Sequence, residues 1–172
     1  LRIIFSAAFC ILVITSCKKS SSSNGSAYYV KFKANDSSIT WSKYVVAEIV
    51  PDLSDTTMID FDLASGSNNQ DTTFSLDIDV HGKTLPTGTY TSTDNTIYMY
   101  VEYNLDNNSS NVLDFEVEDA NGMAASTFTI TITSVTANEI RGTFTGNYLT
   151  NPPSGNTVSI TDGEFFAPII HY

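Results

Sequence analysis

The sequence predicts an all-β protein, an antiparallel β-sandwich of about nine or ten strands, with a flattened meander or a lipocalin-like barrel as the alternative closure. Three observations predict it. From Tyr28 onward, apolar residues recur at every second position. Clusters of Asn, Asp, Gly, Pro and Ser separate these runs. No segment of this part shows the 3.6-residue period of an amphipathic helix.

The clearest strands have one apolar and one polar face, as half-buried antiparallel strands require. Ile59, Phe61 and Leu63 alternate with Asp60 and Asp62, and Phe74, Leu76, Ile78 and Val80 with Ser75, Asp77 and Asp79. Leu113, Phe115 and Val117 alternate with Asp114, Glu116 and Glu118, and Phe128, Ile130 and Ile132 with Thr127, Thr129, Thr131 and Thr133. Turn residues at 35–38, 65–70, 86–88, 106–110, 121–122, 151–156 and 162–163 bound them. The resulting strands are 27–34, 39–50, 56–64, 72–80, 88–93, 96–103, 111–118, 126–135, 139–147 and 156–167, the last bent or split near Asp162. Alternation is muddled in 39–50, where Tyr44 and Val46 oppose Val45 and Ile49. Trp41, the single tryptophan, reads as a core anchor. Asp55-Thr56-Thr57 and Asp71-Thr72-Thr73 open alike, but the apolar phase after them differs by one residue. They therefore read as two arms of a hairpin, not as a structural repeat.

The N-terminus has a different character. Arg2 precedes an apolar run from Ile3 to Ile14. As a helix this run is roughly 18 Å long, too short for a bilayer core of about 30 Å, and so it reads as the h-region of a cleaved signal helix. Ile14-Thr15-Ser16-Cys17 resembles a bacterial lipobox. That resemblance implies cleavage before Cys17, acylation of its sulfur and amine, and firm anchoring, each buried CH₂ contributing about 0.8 kcal/mol. Lys18 to Ser26 is a Ser-rich tether with a reach of roughly 15–18 Å. The predicted organisation is a lipoprotein signal peptide at 1–16, a lipidated Cys and flexible tether at 17–26, and a β-sandwich domain at 27–172.

Four passages carry a wider resemblance: Phe32-Lys33-Ala34-Asn35 leading to Trp41, Leu85-Pro86-Thr87-Gly88-Thr89-Tyr90, Ile140-Arg141-Gly142-Thr143-Phe144, and Ile160-Thr161-Asp162-Gly163-Glu164-Phe165. In this order they resemble uncharacterised β-sandwich lipoproteins of Bacteroidetes-type Gram-negative bacteria. The start Cys-Lys-Lys-Ser is similar to that group as well. The resemblance implies a cell-envelope protein anchored to the outer membrane. The absence of acidic residues just after Cys17 favours the periplasmic face over the cell surface. It implies no activity and no catalytic residues. Asp36 stands where the early turn of such proteins usually offers Gly, which implies a wider hairpin there. The two Asp-Thr-Thr segments also resemble an O-glycosylation sequon of that bacterial group.

Charge and cysteine content narrow the functions. Eight Lys and Arg face 19 Asp and Glu, a formal charge of −11. That disfavours nucleic-acid partners, which need a basic footprint. Cys10 lies in the export segment, so the domain has no internal disulfide and no thiol chemistry. No His-Glu-x-x-His, Gly-x-Ser-x-Gly or phosphate-cradling loop occurs, and His81 and His171 lie far apart.

Two residue groups stand out. Asp60, Asp62, Asp77 and Asp79 share one polar face if 56–64 pairs with 72–80. Like charges across strands destabilise. A calcium ion can relieve that repulsion, but a flat strand pair rarely supplies its six or more oxygens. A solvated acidic face without a cofactor is the preferred reading. Tyr98, Tyr100 and Glu102 share the face opposite Ile97, Met99 and Val101. Paired aromatics beside a carboxylate can stack on sugar rings, but ordinary sheet packing is the preferred reading. The expected function is a non-enzymatic binding module for a glycan, peptide or protein. The alternatives are a lipocalin-like carrier of a small apolar ligand and a carboxylate-dependent glycoside hydrolase.

Overall fold

The computed structural model describes residues 28–51, 55, 57–67, 72–94, 98–104, 114–117, 127–150 and 155–171, with the backbone alone at 114–117 and 148–150. The predicted signal segment, Cys17 and the tether lie outside the described residues. The described chain is all β, with eleven strands and no helix. They are β1 (Tyr29–Ala34), β2 (Ser37–Trp41), β3 (Val46–Pro51), β4 (Met58–Gly66), β5 (Thr73–His81), β6 (Gly88–Thr91), β7 (Tyr98–Asn104), β8 (Asp114–Val117), β9 (Thr127–Val135), β10 (Glu139–Thr150) and β11 (Thr157–Ile170).

Two layers result. One has the order β2-β1-β11-β10-β9-β6, the other β3-β4-β5-β7-β8. Every pairing is antiparallel except one. The last residues of β11 pair in parallel with β3 at Ile169↔Ala47 and Ile170↔Glu48, which joins the layers at one corner. Among the described residues one pairing, Thr150↔Glu116, joins them at the opposite corner. The fold is thus a sandwich with thin barrel-like seams.

The core lies between the layers, where the inward residues of each strand meet. Phe74 of β5 stacks on Phe144 of β10 with centroids 4.9 Å apart. Phe128 of β9 stacks on Phe144 at 5.8 Å, and Phe32 of β1 meets Phe74 at 5.6 Å. Phe61, Leu63, Leu76, Ile78, Met99, Ile130 and Ile132 fill the remainder. Trp41 packs edge-on against Phe32 at 5.5 Å. It is half-buried, so it closes the rim of the core rather than anchoring its centre.

β10 and β11 share an interlock. Gly142 pairs with Phe165, and Phe144 pairs with Gly163. The Phe165 ring occupies the space a Gly142 side chain would need, and the Phe144 ring does the same at Gly163. Each glycine lets the opposite ring lie flat on backbone. The two Gly-x-Phe signatures are thus one structure, formed twice in opposite directions.

Two expectations are corrected. Residues 39–50 are not one strand. Tyr44 adopts a left-handed φ of 56°, which ends β2 at Trp41 and starts β3 at Val46 in the other layer, and this is the origin of the muddled alternation. The β1–β2 hairpin is not wide. Ala34 pairs with Ser37, and the two-residue turn has φ of 45° at Asn35 and 69° at Asp36, the left-handed pair a tight type I′ hairpin uses. Asn and Asp tolerate that region better than most side chains, and Asn35 Oδ1 accepts a bond from the Ser159 amide at 2.9 Å. The bend expected near Asp162 is a bulge: between Lys31 and Lys33, β11 inserts an extra residue, with Asp162 at φ 54°.

Candidate functional site

The outer face of the second layer gathers most of the residues singled out in the sequence. β4 and β5 form the expected hairpin, with Asp60 opposite Asp79 and Asp62 opposite Asp77. β7 runs beside β5 and sets Tyr98 opposite Asp79, Tyr100 opposite Asp77 and Glu102 opposite Ser75. The four aspartates and the Tyr98–Tyr100–Glu102 row therefore form one continuous face, on two neighbouring pairs of strands. Ile97, expected on the core side of β7, lies outside the described residues. Met99 and Val101 are buried.

The sequence reading did not anticipate Glu48. It sits on β3 opposite Asp62 and extends the acidic face by one strand. The signal was present, since Ala47 and Ile49 flank it on the inward side, but the fused reading of 39–50 hid it. On the far edge, Glu116 takes the register position opposite Glu102. No Lys or Arg occurs anywhere in β3, β4, β5, β7 or β8.

Electrostatics on this face are set by crowding. Oxygens of Asp60, Asp77 and Asp79 all lie within 4.8 Å of one another. Asp77 Oδ1 is buried with no hydrogen-bond partner among the described residues. Partial burial, with the neighbouring charges of Asp60, Asp62 and Asp79, pushes the Asp77 carboxyl up to about 8, and a hydrogen bond to Asp60 adds to this. Two carboxyls can form that bond only when one of them holds a proton. Burial, then Asp60, Glu48 and Asp79, pushes Asp62 up to about 7. Along β7, the Tyr100 hydroxyl donates to Glu102 Oε2 at 3.0 Å, while Tyr98 is 36 % exposed.

For a metal, three carboxylates offering one oxygen each fall well short of the six to eight that calcium takes. Protons offer another relief, in keeping with the raised values of Asp62 and Asp77. The melting temperature is expected to differ by no more than a degree or so between calcium and chelator. A rise of many degrees in calcium would overturn the solvated-face reading.

The other candidates disperse. His81 is exposed at the end of β5, opposite Met58. His171 reaches the Ala137 carbonyl at 2.6 Å. Asp55 closes a local turn, its Oδ1 accepting from the Thr57 amide at 2.9 Å and hydroxyl at 2.7 Å. Thr56 and Asp71, one residue from each Asp-Thr-Thr segment, lie outside the described residues. No protein family, curated protein or solved structure matches this chain.

Proposed function

We propose that this chain is a lipid-anchored envelope protein that binds an extended glycan across the outer face of β4, β5 and β7, without catalysing a reaction. The observation that carries the reading is the joining of Tyr98, Tyr100 and Glu102 to a row of carboxylates on one open sheet face. Tyrosine rings offer apolar surface to a sugar ring, and carboxylates accept bonds from its hydroxyls. The absence of basic residues from these strands selects neutral or amino sugars over acidic polysaccharides. That same lack of counter-charge supports a second reading, a Lys- or Arg-rich protein segment as partner. The aromatic packing between the layers supports surface binding over carriage of a ligand inside the fold. The lipobox resemblance at Ile14-Thr15-Ser16-Cys17 supports the anchor and the outer-membrane location.

The test is a binding screen of the mature protein against neutral, amino and acidic glycans and a polylysine peptide. Replacing both Tyr98 and Tyr100 with Ala is expected to weaken glycan binding at least about tenfold, since aromatic contacts each contribute on the order of 1 kcal/mol. Unchanged affinity in the double variant would remove the face from consideration. Cys17→Ser is expected to yield folded protein that partitions into buffer without detergent.

A further inference from the structure

The two outer faces of the sandwich differ sharply in charge. On the first layer, Lys31 pairs with Glu164 at 2.7 Å and Lys33 with Asp162 at 2.7 Å. Arg141 lies over the Phe166 ring at 3.7 Å, and Glu139 accepts a bond from the Tyr28 hydroxyl at 3.1 Å. Three cations meet three carboxylates here, and with Asp36 of the β1–β2 turn, whose charge also acts on Lys33, the layer stays close to neutral. Beside them lies a grid of threonines. Thr89 of β6, Thr131 of β9 and Thr143 of β10 are in register, as are Thr91, Thr129 and Thr145. Thr89 and Thr131 share a hydroxyl bond at 2.9 Å. On the second layer, Glu48, Asp60, Asp62, Asp77, Asp79 and Glu102 face outward with no Lys or Arg in their strands.

We propose that the threonine-bearing face of β1, β11, β10, β9 and β6 rests on the anionic lipid surface that holds the anchor, with the acidic face turned to the aqueous side. The inference depends on the lipid anchor proposed above. Residues 18–27, fully stretched, span at most about 35 Å, so either face can reach the bilayer and electrostatics decides between them. An anionic lipid surface carries a potential on the order of −30 mV. Its field decays over about 8 Å at physiological ionic strength, and packed sheets lie about 10 Å apart. With the threonine face down, the acidic face stands beyond one screening length. Turned over, all six carboxyls sit inside it. The neutral face also offers what headgroups accept, hydroxyl donors and the Lys31, Lys33 and Arg141 side chains. The chain enters this layer directly, since Tyr28 leads into β1. The proposed binding face is thereby presented away from the membrane.

Orientation is read by quenching. Mature protein carrying Thr143→Cys or Ser75→Cys, both outward positions on opposite layers, is labelled with a fluorophore. It is then reconstituted into phosphatidylethanolamine vesicles containing phosphatidylglycerol and a headgroup-nitroxide lipid. A second pair, Thr145→Cys and Tyr98→Cys, guards against a local folding defect. The labels at 143 and 145 are expected to be quenched several-fold more than those at 75 and 98. The difference is expected to shrink without phosphatidylglycerol or in high salt. Equal or reversed quenching in protein whose Cys17 acylation is verified by mass spectrometry overturns the orientation while leaving the anchor standing. Protein that is unacylated and does not float with the vesicles overturns both.

Discussion

Gly142→Ala and Gly163→Ala are each expected to destabilise the domain by about 3 kcal/mol or more, the upper range for an overpacked core. A methyl group at Gly142 collides with the Thr131 carbonyl oxygen and the Phe165 ring, and at Gly163 with the Phe144 carbonyl oxygen and ring. The rings can shift, but the carbonyls belong to neighbouring strands and cannot move without breaking the ladder. Domains are stable by only about 5–15 kcal/mol, so either change removes a large fraction of the total. Urea denaturation midpoints check this. Gly88→Ala on edge strand β6 is the control, because nothing lies within 4 Å of the added methyl. It is expected to change stability by less than about 1 kcal/mol. Adding Phe165→Leu to Gly142→Ala is expected to restore only part of the loss, since the Thr131 carbonyl remains. Full restoration would show that the ring alone carries the clash.

Raising the pH from about 5 to about 9 is expected to weaken the fold by several kcal/mol. Asp77 and Asp62 are pushed up to about 8 and about 7, far above a carboxyl in an unfolded chain. Over that window the folded state therefore binds more protons than the unfolded one. The stability these two groups contribute is fully present below the unfolded carboxyl value of about 4, falls as pH rises from there through the folded values of about 7 and about 8, and levels off above them. Asp77→Asn supplies a permanent donor to Asp60 and removes the charge. It is expected to flatten much of the slope and to raise stability near pH 9 by on the order of 2 kcal/mol. Denaturant midpoints measured across the range for both proteins decide the matter, and a flat profile for the unaltered protein would refute the shared-proton arrangement. A falling profile would mean that two of the six carboxyls are partly neutral at pH 7, which lowers the cost of bringing a polyhydroxyl ligand against the face.

Sequence alternation was sufficient for the strands that bury one clean face. Asp60 and Asp62 against Ile59, Phe61 and Leu63, and the matching run in β5, specified both the hairpin and the sharing of one face by four aspartates. The Tyr98–Tyr100–Glu102 row followed from Met99 and Val101 by the same rule. Three features were not legible. The break at Tyr44 has no Gly or Pro to mark it, since a tyrosine there holds a left-handed backbone. The extension of β11 to Ile170 rests on the Glu139↔Pro168 pairing with β10 and a parallel contact with β3 only two residues long, too short to leave a pattern. The interlock of Gly142 with Phe165 and Phe144 with Gly163 required the β10–β11 register, which period-two patterning does not fix. The acidic face reached Glu48 for the same reason that β3 was missed, because its strand was joined to another.

β11 sits at the centre of the first layer, between β1 and β10, and hands its end to β3. Among the described strands it is also the last in chain order. Tyr29 bonds Glu164, 135 residues away along the chain, so a polypeptide made N-terminus first cannot close its first layer until β11 has followed. Such distant pairings make for slow folding. Until β11 docks, β1 and β10 each keep an unpaired edge, the kind of exposed strand edge that invites wrong pairing while a chain folds.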